Sequence, residues 1–318
     1  MKPIFYRESA SFENWDEKAY LYSNPDVAKA VKCGDISSAW DHFYGVGHKE
    51  GRFLAFPNKI KSCKDQKKKW ILPLIKSTLL KSDNKKTLNF LSDELIEQTG
   101  INQDGPISSH DYDQILAEMI ILNPEWKILD VGCGLRNTYY PNVVNYEICP
   151  YDTTDVVGVG EKLPFNDNCF DLVISSAVLE HVIDPFKCSQ ELHRVAVKGG
   201  KIWCAVPFLQ PYHGYPHHYY NMTFQGLTNL FSQNCDVQLL DTRPYALPID
   251  VLKELLTKYM SVLPEAERSK FSKLRIRDIS NSKDSELKEK SWVKNFPEWW
   301  NKYFCSVNTV IATKNSNK

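Results

Sequence analysis

Two stretches of this 318-residue sequence concentrate residue types that bind charged ligands or move protons. In Trp126-Lys127-Ile128-Leu129-Asp130-Val131-Gly132-Cys133-Gly134 an apolar run leads into an acid and then into two glycines one residue apart. Glycines at such a turn let backbone approach a ligand, and the acid can accept hydrogen bonds from a cationic or hydroxyl-bearing group. A tight turn with no ligand gives the same string. Glu147 ends the next strand-like run, Val143-Val144-Asn145-Tyr146, 17 residues beyond Asp130. An acid placed there in a nucleotide-binding α/β unit reaches ribose hydroxyls, and an exposed strand-end carboxylate is the plain alternative.

The second stretch runs from Phe208 to Thr223 and holds His213, His217 and His218 beside four tyrosines. Histidine takes up a proton near neutral pH, and aromatic faces stack on sugar rings or enclose a cation. These histidines could equally just hydrogen-bond their loop in place. His181, in Leu179-Glu180-His181-Val182, is a further candidate base or a helix cap. Adjacent histidines on a loop seldom both face one ion, so no metal site is expected from His213, His217 and His218.

Positioning these groups requires a frame. From about residue 107 the pattern alternates strand, loop and helix, which indicates an α/β domain with a mainly parallel sheet. The domain is expected over 106–318, with a helical insert over 247–302. That insert separates a strand near Val237-Gln238-Leu239-Leu240 from a last strand over 306–312. Residues 1–56 read as a small helical module: Asn24-Pro25-Asp26 is a helix start, Gly34 a break, and a second helix runs through Ala39, Trp40 and Phe43. Residues 57–105 are lysine-rich and read as a linker with a solvated helix surface, since acids return at Asp93 and Glu94.

Thirty-nine basic residues balance thirty-nine acidic ones, so no global field recruits nucleic acid or an anionic membrane. The N-terminus lacks the apolar core of a secretory signal, and no apolar run approaches the length that spans a bilayer. The nine scattered cysteines form no CxxC pair and read as reduced thiols. A cytoplasmic chain is the default expectation.

Beyond Glu147 the sequence carries Gly158-Val159-Gly160-Glu161-Lys162-Leu163-Pro164-Phe165, then Cys169-Phe170-Asp171-Leu172-Val173-Ile174-Ser175-Ser176-Ala177-Val178-Leu179-Glu180-His181-Val182, then Glu191-Leu192-His193-Arg194-Val195 to Lys198-Gly199-Gly200. In this order the phrases resemble the class I, Rossmann-like methyltransferases that use S-adenosylmethionine (SAM), over roughly 100 residues. The resemblance implies a seven-stranded, mostly parallel sheet with a reversed last strand, and conversion of SAM to S-adenosylhomocysteine (SAH). Asp130, Val131, Gly132, Cys133 and Gly134 would hold the methionine end of the cofactor. Glu147 and Ile148 would take the ribose, Val159, Gly160 and Glu161 would border adenine, and Ser175, Ser176 and Ala177 would lie under the sulfonium.

Four departures stand out. Arg136 replaces a frequent third glycine. Only Leu135 to Asn142 separate the glycines from the next strand, so the usual first helix is shortened or lost. Val159 replaces an aspartate that receives the adenine amino group, and Lys198 a common proline. The phrase His213-Gly-Tyr-Pro-His217-His218-Tyr-Tyr-Asn-Met-Thr223 resembles a branch found with bacterial polysaccharide genes. Tyr20 to Arg52 resembles a short helical module seen beside bacterial glycosyltransferases and methyltransferases. The acceptor implied is a hydroxyl of a sugar or glycan intermediate, with His181, His213, His217 or His218 as base. The alternatives are another small molecule, a protein side chain, or a SAM-binding scaffold without turnover. A homo-oligomer or glycan-assembly partner fits either reading.

Overall fold

The computed structural model of the protein describes residues 2–76, 82–83, 87–101, 111–214, 217–240 and 246–300. The backbone is organised around one sheet with strands β1 (Ser82–Asp83), β2 (Leu88–Asn89), β3 (Ile128–Val131), β4 (Val143–Glu147), β5 (Val156–Val157), β6 (Phe170–Ser176) and β7 (Ala196–Ala205). Their spatial order is β7-β6-β3-β4-β5-β2-β1. The first six in that order are parallel, and β1 runs antiparallel to β2. Val131 lies level with Ser175 on one side and Tyr146 on the other, so the loops after β3, β4 and β6 emerge at one edge. Every residue of β3 and β4 is buried, as continuous apolar strands of a parallel sheet require. Helix Gln114–Leu122 covers one face, packing Leu116 and Ile120 on Ile128, Val143, Leu172 and Ile174. Helix Pro185–Val195 starts where the Asp184 carboxylate accepts the Lys187 N–H, and it buries Cys188, Leu192 and Val195.

The expected α/β class and mostly parallel sheet are found, and among the described residues the antiparallel strand of this sheet is β1, contributed from upstream. Val237–Leu240 is not a strand, and 306–312 lies outside the described residues.

The stretch after the glycines forms no helix. Thr138–Tyr139 instead pairs antiparallel with Ile4–Phe5. Helix Pro57–Ile71 supplies apolar cover there, with Ile60 and Cys63 clustering with Leu135, Tyr139 and Tyr6. The lysine-rich stretch is therefore not simply a solvated surface. Lys67 is 1 % exposed and its Nζ lies 2.6 Å from Asp155 Oδ2, while Lys64 Nζ donates to the Asp152 and Thr154 carbonyls. Burial lowers the pKa of Lys67, with Asp155 opposing the shift.

Residues 10–56 keep a small core of their own, Ala19, Tyr20, Val27, Ala39, Phe43 and Leu54, formed by helices Glu17–Ser23, Pro25–Cys33 and Ala39–His42. The N-terminal region is also tied to the sheet-bearing part of the chain, since the Tyr6 and Tyr22 hydroxyls both donate to Asp152. One unit comprises Met1–Val206 with Tyr215–Asp236, and a second comprises Pro207–Gly214 with the chain from Val237 onward. In the second unit the expected insert is helical: Pro248–Val262, Glu265–Phe271, Ile276–Ser280, Asp284–Lys288 and Ser291–Lys294. Tyr259, Phe271, Trp292 and Phe296 pack its interior. Among the described residues no helix is long and apolar enough to cross a membrane.

Candidate active site

The turn after β3 is held by β4. The N–H groups of Gly132 and Cys133 both donate to the Tyr146 carbonyl, at 2.9 and 3.2 Å. Gly132 and Gly134 have φ of 70° and 61°, a region glycine enters without the Cβ penalty. A Cβ on Gly132 would sit 2.3 Å from Val178 Cγ2, so the loop after β6 presses directly on this turn. Glu147, at the end of β4, accepts the Gly134 N–H at 2.7 Å through Oε2 and the Ile148 N–H at 2.8 Å through Oε1. Burial raises its pKa, and those backbone donors pull it back. Cys133 is buried, and its Sγ donates to the Gly134 carbonyl.

Asp130 is wholly buried, with Val131 behind it. Its Oδ2 accepts Tyr112 OH at 2.6 Å and Arg136 Nε and Nη2 at 3.0 and 2.7 Å. The guanidinium carbon lies 4.0 Å from the centre of the Tyr112 ring. Burial works most strongly against the charge on Arg136, but Asp130 together with Tyr112 and Cys133 more than offsets it and holds the guanidinium above its ordinary pKa. Burial, then Asp130, pushes the Tyr112 phenol well up. Asp130 Oδ1 is buried with no hydrogen-bond partner among the described residues.

Val159 is a core residue, packed with Leu91 and Val157, and its carbonyl accepts the Tyr146 hydroxyl. Gly160 closes on Cys188, whose Sγ would stand 2.7 Å from an added Cβ. Burial raises the pKa of Glu161, offset by backbone N–H groups including those of Ile183 and Asp184, so its carboxylate braces the start of helix Pro185–Val195. Ser175 is buried and Ser176 half-buried, and Ala177 is exposed with φ of 56°. A non-glycine residue in that conformation costs energy that the surrounding structure must hold, a feature common at ligand sites.

The loop after β6 carries Glu180 and His181. His181 Nδ1 lies 2.6 Å from the His217 carbonyl, which can only accept, so Nδ1 bears the proton and Nε2 is the basic nitrogen. Nε2 is 3.8 Å from Glu180 Oε1. Glu180 is fully buried, and burial pushes its carboxyl up to about 7. His217 Nε2 meets the Gly100 carbonyl at 3.2 Å, His218 Nε2 meets Asn221 Oδ1 at 2.7 Å, and the rings of His181 and His218 are 5.8 Å apart. His181, His217 and His218 are thus linked around the loop after β6. His213 falls in the second unit, where Nδ1 meets the Pro211 carbonyl.

Two members of the site are not evident from sequence. Tyr112 sits in a run with no distinguishing motif. Glu180 left only a weak signal, an acid next to Leu179 at the end of the apolar run of β6.

The family described as Methyltransferase domain matches residues 129–204. Among curated proteins the chain is 27 % identical to Cycloartenol-C-24-methyltransferase 1 of Oryza sativa subsp. japonica over 131 residues, 31 % of this chain and 37 % of that protein. It is 30 % identical to an uncharacterized methyltransferase of Schizosaccharomyces pombe over 152 residues, 45 % of this chain and 54 % of that protein. The chain therefore spans between about a third and about half of the length of these curated relatives. Among solved structures it is similar to the YcgJ protein of Bacillus subtilis (TM-score 0.32, 20 % identity, 48 % of this chain and 86 % of that one). It is also similar to a SAM-dependent methyltransferase of Thermotoga maritima (TM-score 0.28, 17 % identity, 37 % and 67 %). The glycine turn and both strand-end acids lie in the segment, residues 129–204, that matches the methyltransferase-domain family, whose cofactor is SAM.

Proposed function

We propose that this chain transfers a methyl group from SAM to a hydroxyl, most simply one on a sugar or glycan intermediate. The observation that carries the reading is the committed tautomer of His181, with its basic Nε2 beside the buried Glu180. When bound, SAM supplies a methyl group on a cationic sulfur. Asp130, Glu147 and the Gly132–Gly134 turn are the residues that would hold it, and the buried Oδ1 of Asp130, without a hydrogen-bond partner among the described residues, fits a ligand that brings its own donor. The hydroxyl oxygen forms the new O–CH3 bond as the C–S bond breaks, leaving SAH. A hydroxyl ionises far above neutrality, so its proton must be taken up during transfer, and His181 Nε2 is the acceptor. Glu180 stands close enough to stabilise the resulting imidazolium. Tyr219 and Tyr220 are exposed beside His217 and His218, and their backbone N–H groups are fixed to the Glu180 carbonyl, which suits stacking on a sugar face.

A second reading is a more apolar small molecule, like the acceptor named for the rice relative, and the exposed Ile183 and Phe186 near His181 favour it. Conversion of SAM to SAH with panels of sugar nucleotides, glycan intermediates and sterols separates the two. Turnover on sugars that His181→Ala abolishes supports the first reading. Turnover confined to sterols overturns it, and SAM binding without turnover on any panel points to a scaffold.

A further inference from the structure

The acid that ends β3 uses only one of its two oxygens. Oδ2 of Asp130 takes all three hydrogen bonds, from Tyr112 and from the fork of Arg136, while the equally buried Oδ1 takes none among the described residues. Both N–H groups of Arg136 converge on this one oxygen, as charge-assisted bonds that hold Oδ2 in place. The Tyr112 hydroxyl adds a third point, and its ring lies against the guanidinium. A buried carboxylate oxygen that no protein group donates to is costly, so a donor that arrives with the ligand is the natural partner of Oδ1. The donor best able to offset a buried carboxylate oxygen is a charged one.

We infer that Arg136 and Tyr112 are positioning residues that hold Asp130 with Oδ1 presented to the α-ammonium of the cofactor's methionine tail. Arg136 thereby makes the site selective for adenosyl ligands that carry a free amino group. This rests on the SAM reading of the site.

Calorimetry on the full chain tests it without knowledge of the acceptor, using SAH, its analogue lacking the amino group, and 5′-methylthioadenosine, which lacks the whole amino-acid tail. A hydrogen bond to a charged group predicts that wild type binds SAH on the order of ten- to a hundredfold more tightly than the desamino analogue. In Arg136→Gln that ratio falls to within a few-fold of one, while affinity for the desamino analogue and for methylthioadenosine stays near wild type. Arg136→Lys, which keeps the charge without the fork, recovers part of the ratio. Should Arg136→Gln fail to fold, the neutral pair Asp130→Asn with Arg136→Gln replaces it and predicts the same collapse.

An unchanged ratio, or an equal loss for all three ligands, overturns the inference and leaves Arg136 a packing residue. Wild type that binds SAH and the desamino analogue alike overturns it too, with the cofactor reading intact. Wild type that binds none of the three removes the cofactor reading itself.

Discussion

Lys67→Met tests whether helix Pro57–Ile71 belongs to the core of the first unit or decorates its surface. The Lys67 ammonium is 2.6 Å from Asp155 Oδ2, with side-chain exposures of 1 % and 4 %, and lies 3.6 Å from the centre of the Tyr139 ring. Methionine fills a similar volume but leaves Asp155 without its cation. Breaking a buried pair from one side costs about 3–5 kcal/mol. Asp155 keeps the Tyr139 hydroxyl and the Asn145 N–H, so the low end, about 3 kcal/mol, applies. For a unit of this size that is a fall in melting temperature of about 6–12 °C. The cost comes from the orphaned acid rather than from the pair, because burial already lowers the pKa of Lys67 despite its partner. Lys67→Met with Asp155→Asn should therefore recover most of the loss. Lys69→Met, on the exposed face, should change stability by no more than about 0.5 kcal/mol. Thermal and urea unfolding followed by circular dichroism give all four values. If Lys67→Met melts with wild type, the helix is the solvated surface that composition suggests, and the interior ion pair is wrong.

Asp130→Ala and Glu147→Ala should each weaken SAH binding at least tenfold by calorimetry, and wild-type affinity in both would misplace the pocket. Glu180, held at about 7 by burial against an ordinary 4.5, keeps its proton through a range in which the unfolded chain has lost it. Stability contributed by this group therefore falls as pH rises from 4.5 to about 7. The loss is at most about 3 kcal/mol, so Glu180→Gln should be the more stable protein at pH 8 and no better than wild type at pH 4.5, as parallel melts would show. His181→Ala should spare SAM affinity and lower turnover about 10²–10⁴-fold, measured as SAH formed; a drop in proportion to melting temperature would make it structural. A chain starting at residue 106 loses Ile4–Phe5, Tyr6 and helix Pro57–Ile71, baring Leu135 and Tyr139. It should aggregate on expression, and a soluble, SAH-binding product would show that this cover is dispensable.

What was legible in the sequence was local. The glycine turn, the acid before it and the acid ending β4 are fixed by short-range spacing, and a parallel sheet buried on both faces writes itself as continuous apolar runs. The loss of the first helix was legible too, because eight residues cannot hold a helix and two turns. Its replacement was not. Lys67 meets Asp155 across 88 residues, and nothing in a lysine-rich helix distinguishes the one lysine that turns inward. The reversed last strand that the resemblance implies falls at 306–312, outside the described residues, and the antiparallel β1 at 82–83, beyond β2, was not legible. Register between segments so far apart depends on which face each buries, and a two-residue strand offers no periodicity to read.

The site shows the same split between residue type and residue state. Asp130 and Glu147 both read as strand-end acids awaiting a ligand, yet the fold treats them differently. Glu147 spends lone pairs of both oxygens on backbone N–H groups, Gly134 and Ile148 with Cys149 beside them, so it closes the glycine turn as well as facing a ligand. Asp130 spends everything on one oxygen and nothing on the other. A loss of SAH binding in Glu147→Ala therefore mixes a lost ligand contact with a loosened turn, whereas Glu147→Gln keeps one acceptor oxygen and separates them. If the turn is the larger part, Glu147→Gln should loosen the backbone at Gly134 and Ile148, seen as faster amide exchange there without ligand. If direct contact dominates, exchange should stay slow and only the affinity should fall.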